Sequence, residues 1–229
     1  NVIESLKIIS VVIIAILKKD LLQERRTKET FIPILIFGML VILIFGFAVN
    51  PSPVVLASIA PGLVWVAFVL AGFLAANRSL VIEMQEETID LLLLAPIARE
   101  FIYYGKLLAT YLLMLFVELL MLPVLAILFE MNLFNIEFAL ILMVATFGFA
   151  VVGTLLSAIS VNTKAREVML PILFFPMIIP IIICAVASTE LVLGGSGLGD
   201  IRGWLQMLLI FDIVFFVLAG LCFDFILEE

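Results

Sequence analysis

The 229 residues are 66% hydrophobic and only 14% charged, with a mean hydropathy of +1.37. Soluble domains hold about 45–50% apolar residues; here apolar runs recur over the whole length, which excludes a soluble domain on a single anchor and points to one membrane domain, residues 1–229. The formal charge of −7 includes no basic patch interleaved with aromatics, which argues against nucleic acid as a partner, and the lack of histidine excludes imidazole metal ligation and histidine acid–base chemistry.

Residues 1–30 divide into an apolar stretch and a charged one. Ile8 to Leu17 is only ten residues, too short to cross a bilayer. Leu17, Leu21 and Leu22 carry an apolar side on into Lys18-Lys19-Asp20 and Glu24-Arg25-Arg26, the pattern of an interfacial helix on the cytoplasmic leaflet. A signal peptide has its charge before the apolar run, the reverse of what stands here. With no initiator Met, residues are expected to be missing upstream.

Six spans are expected: Phe31–Val49, Val54–Ala76, about Ile102–Phe129, about Ile136–Ser160, Val168 to about Thr189, and about Trp204–Leu227. Asn50-Pro51-Ser52-Pro53 makes a tight turn between the first two, and Gly194-Gly195-Ser196-Gly197 links the last two. Lys and Arg placement sets orientation. On one side lie Lys18, Lys19, Arg25, Arg26, Lys28, Arg78, Arg99, Lys106, Lys164 and Arg166; on the other stands only Arg202, with Lys7 assigned to neither, so both termini are expected in the cytoplasm. Cys184 and Cys222 lie in spans without CxxC spacing and read as small apolar residues.

Between the second and third spans, residues 77–101 leave the hydrocarbon as an acidic helical segment. Glu83, Glu86, Glu87 and Asp90 recur at helical spacing on one face, and Ile89 and Leu91 to Leu94 add apolar surface that is costly to leave in water. Pro96 ends the helix. Such a helix between two spans is read as the place where an ATPase pushes on the membrane domain; a solvated acidic face and packing on the headgroups are the simpler readings. The short loop Asn162 to Glu167 faces the same side, and its Lys164 and Arg166 are expected to give a secondary cytoplasmic contact.

Two carboxylates fall inside spans, Glu118 near the middle of the third and Asp212 in the outer half of the sixth. Intramembrane acids are expensive and are functional candidates by default. No Lys or Arg stands at their depth, so a polar clamp between helices is favoured over a transport site. Pro123, Pro171 and Pro176 free the carbonyls of Leu119, Glu167 and Ile172 as acceptors. Trp204 reads as an interfacial anchor, and the Met residues read as packing.

The runs KKDLLQERR (18–26), APGLVWVAF (60–68), NRSLVIE (77–83), LLLLAPIAR (91–99), VELLMLP (117–123) and FDIVF (211–215) resemble the haem exporter B family, CcmB. The resemblance spans nearly the whole chain in order. By itself EETIDLLLLAP (86–96) is similar to many ABC-2-type exporter permeases. The resemblance implies an all-α, ABC-2-type permease-like fold of six transmembrane helices with an N-terminal interfacial helix and a cytoplasmic coupling helix. It implies two copies of this subunit, a separate CcmA-like ATPase that hydrolyses ATP, CcmC-like and CcmD-like membrane proteins, and a CcmE-like haem chaperone. It also implies the prokaryotic inner membrane. Given that resemblance, Trp65 and Trp204 could stack on a porphyrin and Met and Cys could ligate haem iron, but without His a long-lived axial site is not expected. Haem is then expected on partner proteins, and this chain, itself no enzyme, is expected to bind no cofactor and to transmit force within membrane lipid.

Two other function classes share some of these features. A general ABC-2-type exporter permease for lipid, glycan or drug would have the acidic loop without the full order of motifs. A secondary carrier would need coupling-ion sites and commonly internal repeats, and the halves show no convincing repeat.

Overall fold

The computed structural model describes residues 2–48, 53–79, 99–161 and 166–226, and all secondary structure among them is helical. Seven helices follow in order: α1 (Val2–Thr27), α2 (Phe31–Ala48), α3 (Pro53–Ser79), α4 (Arg99–Leu128), α5 (Ile136–Val161), α6 (Arg166–Leu193) and α7 (Leu198–Ile226). All but α1 are long and apolar enough to cross a membrane, in agreement with the six expected spans. Pro61, Pro123, Pro171, Pro176 and Pro180 sit within helices that continue through them.

Helix ends follow local chemistry more than hydropathy. The Asn135 side chain accepts the Phe138 N–H at 2.7 Å and so caps α5. α6 runs past Thr189 to Leu193, where Gly195 turns left-handed at φ 87°. There the Ser196 N–H reaches the Leu191 carbonyl and the Gly195 N–H that of Val192, each at 3.0 Å, a Schellman closure. α7 begins at Leu198 rather than at the expected Trp204, because Asp200 reaches back to accept the Gly197 N–H at 3.2 Å. That earlier start moves Asp212 from the outer half of its span towards the middle.

The bundle is built around α5, which packs against α3, α4, α6 and α7. Over 18 residues of its span 72% are buried, against 17% over the same length of α7, whose Ile210, Ile213, Val217 and Leu221 face outward. Lipid, with no hydrophobic drive between helices, makes close packing of small residues the source of cohesion. Gly153 of α5 meets Ala76 of α3 so closely that an added Cβ would stand 2.6 Å from the alanine methyl. Met121 fills the space at Gly38, and Met114 lies against Gly72, so both act as packing.

Trp65 is fully buried, which corrects its reading as a porphyrin platform. Its ring lies edge-on to Phe68 at 5.7 Å and Phe149 at 6.1 Å, and its indole N–H donates to Thr189 Oγ1 at 2.9 Å. Those contacts tie α3 to α5 and α6 and leave no ring face for a ligand.

α2 accompanies only the upper part of α4: Phe31 stacks near Phe116 at 5.4 Å, Gly38 faces Met121 and Gly46 faces Leu128. α1 meets α4 lower down, with Ile16 packed on Gly105. That position beyond the start of α2, at the end of the bundle, suits an interfacial helix.

Candidate functional site

Glu83, Glu86, Glu87, Asp90, Leu91 and Pro96 lie outside the described residues, as does Lys164; Arg166 opens α6, with its side chain outside the description. What the structure gives is the two helices that flank the acidic segment, α3 before it and α4 after it. On the entry side, Ala76 of α3 is locked against Gly153. On the return side, the buried Tyr103 of α4 donates its hydroxyl to the Val151 carbonyl at 3.2 Å. Both ends therefore grip the same short stretch of α5, residues 151–153.

The return end is also tied to α1. Lys106 is 4% exposed and its Nζ lies 2.8 Å from Asp20 Oδ2, while Lys19 approaches Asp20 Oδ1 at 3.4 Å. Four residues on, Glu24 Oε1 accepts the N–H groups of Thr30 at 3.1 Å and Phe31 at 2.6 Å. This places a carboxylate at the positive end of α2 and caps it. Lys28, at φ 56°, makes the left-handed turn that lets the chain reverse. Lys106, read from sequence as a topology signal, is thus a structural cation; neither its partner Asp20 nor the capping Glu24 had a signal in hydrophobic periodicity.

The intramembrane acids both face α5. Glu118 is 1% exposed and its Oε2 accepts the Thr146 hydroxyl at 2.6 Å, a bond between α4 and α5. Asp212 of α7 is 3% exposed and lies against Gly148, where a side chain would overlap its Oδ1. With Thr146 and Gly148 two residues apart on α5, the two acids share a level. Tyr111 of α4 adds a second link to α5, its hydroxyl donating to the Met143 carbonyl at 3.2 Å. Among the described residues, Glu118 Oε1 and both oxygens of Asp212 have no hydrogen-bond partner. Thr146 was missed in the sequence, since a buried threonine in an apolar span carries no signal until its partner is known.

A single acceptor bond is all that a clamp at Glu118 requires, so Glu118→Gln is expected to keep wild-type stability. Glu118→Leu should lose about 1 kcal/mol, the scale of interhelical bonds in membranes. Thermal unfolding of the detergent-extracted protein checks both, and an inactive but fully assembled Gln variant would refute the clamp.

Among the described residues, no group of three or more His, Cys, Asp or Glu is placed to hold a metal ion. The described helices form a bundle with six candidate membrane spans, and comparison with known proteins decides its family. The model of the family described as "CcmB protein" matches residues 11–228. The chain belongs to the CcmB family. Curated relatives are named "Heme exporter protein B". That of Rhodobacter capsulatus is 32% identical over 178 residues, 74% of this chain and 78% of the relative. Those of Haemophilus influenzae and Pseudomonas aeruginosa are each 28% identical, the first covering 78% of this chain and 81% of the relative, the second 80% and 82%. The CcmB match takes in α2 to α7 and most of α1, so it covers the helices that flank residues 80–98 as well as the polar level at Glu118 and Asp212.

Proposed function

We infer that this chain is the membrane subunit of an ABC-type haem-export system serving cytochrome c maturation. The match of the family over residues 11–228, on a bundle with six candidate spans, carries that reading. In finer detail, a separate CcmA-like subunit hydrolyses ATP and docks on residues 77–101. Glu83, Glu86, Glu87, Asp90 and Leu91 provide the docking face and Pro96 its end; Lys164 and Arg166 add a smaller contact. The anchoring of both ends of the segment to residues 151–153 supports this, because a push on the segment reaches α5, the helix that every other span except α2 packs against.

The rest of the proposal concerns assembly. Two copies of the chain work with two ATPase copies and with CcmC-like and CcmD-like proteins in a prokaryotic inner membrane, both termini in the cytoplasm. Haem stays on partners, and the stroke releases a haem-loaded CcmE-like chaperone on the far side. Deletion of the chain is expected to abolish covalently haem-stained c-type cytochromes while membrane b-type haem persists, and re-expression should restore them. A deletion strain with a normal complement of c-type cytochromes would overturn the reading and favour an exporter of another cargo.

A further inference from the structure

The charged half of α1 alternates acid and base in sequence, but the fold sorts the two. Asp20 and Glu24 turn inward, one to Lys106 at 2.8 Å and the other onto the start of α2 at 2.6 Å. Lys18, Arg25, Arg26 and Lys28 are exposed. Between residues 18 and 29 the exposed acid is Glu29 alone, at the turn.

The outward face carries apolar groups as well. At a helical 100° per residue, Val11, Ile14, Lys18, Leu21, Leu22 and Arg25 fall within one arc of the helix. All six are exposed, whereas Val12, Ile16, Asp20 and Glu24 lie on the side turned to the bundle. Interleaved leucine and long basic side chains suit a surface where the stems enter hydrocarbon and the charged heads reach the phosphates.

We propose that this face of α1 is a binding surface for the headgroups of anionic phospholipids. Charge complementarity chooses the occupant: zwitterionic headgroups give the basic residues no net attraction, whereas each Lys or Arg near an anionic surface gains from it. The apolar residues among them require a bilayer rather than a soluble anion. The proposal is independent of what the system exports. Its consequence is that the lipid holds α1, and through Asp20 and Lys106 the first turns of α4, at the water–membrane boundary.

Native mass spectrometry of the full chain, purified in detergent and offered phosphatidylglycerol and phosphatidylcholine in equal amounts, tests this. Phosphatidylglycerol should be retained preferentially, and added salt should weaken the preference. The triple variant Lys18→Gln, Arg25→Gln, Arg26→Gln should reduce the preference by about ten-fold or more. A control with Arg25→Lys and Arg26→Lys should keep it. Equal retention of the two lipids by the wild type, or an unchanged preference in the triple variant, would overturn the proposal and leave these residues as topology signals alone. The exposed positions make a folding defect unexpected, and an unfolding temperature of the triple variant equal to wild type in zwitterionic detergent verifies it.

Discussion

Reversing charge at Glu86 and Glu87 is expected to stop cytochrome c maturation while the folded chain stays in the membrane at its normal level. If the acidic face docks on the ATPase as proposed, Glu86→Lys with Glu87→Lys replaces attraction by repulsion at two positions of one interface. Losing a docked charge pair costs about 2–5 kcal/mol, enough to weaken docking by roughly 30-fold or more at the lower limit. The cost to the fold should be small, since surface substitutions away from packed features stay within about 0.5 kcal/mol, and added lysine on this side agrees with the expected topology. Co-purification of the ATPase and haem staining of c-type cytochromes measure the two effects. Full cytochrome yield with an intact complex would show that the acids are only a solvated face.

The helix contacts behind that expectation could be read from sequence only in part. Apolar runs locate spans because they report which residues leave water, and they placed α2, α3 and α5 within a few residues of their ends. They do not report which residues meet. Gly153 against Ala76, and Tyr103 on the Val151 carbonyl, join positions far apart in the chain, and nothing in the period of either helix marks them.

Capping explains the other differences. The early start of α7 depends on Asp200 and Gly197, and the late end of α6 on Gly195; a hydropathy profile smooths over both. Trp65 was read for its aromatic face, and the three surrounding phenylalanines that cover it come from two helices. Glu118 was the more legible residue, since a carboxylate without a cation at its depth must find a hydroxyl or an amide. Its donor, Thr146, needed the structure.

Asp20 is the residue whose loss should be felt most by the fold. Asp20→Ala removes the carboxylate that Lys106 meets at 2.8 Å, in a site where the lysine side chain is 5% exposed and the aspartate 16%. Removing one member of a buried pair costs about 3–5 kcal/mol, because the remaining charge keeps its desolvation penalty; the partial exposure of Asp20 favours the lower end, about 3 kcal/mol. The double variant Asp20→Asn, Lys106→Met removes both charges and should be more stable than Asp20→Ala alone. A double-mutant cycle on thermal unfolding, closed by Asp20→Asn and Lys106→Met as single variants, isolates the coupling. The functional effect should follow the structural one, since α1 would release the first turns of α4, where the acidic segment returns to the bundle. Asp20→Ala should therefore impair cytochrome yield even in the fraction that still assembles with the ATPase, and Asp20→Glu should recover much of it. A loss below about 0.5 kcal/mol in Asp20→Ala, the range of an ordinary surface change, would mean that water screens the pair and that α1 is held to α4 by Ile16 on Gly105 instead.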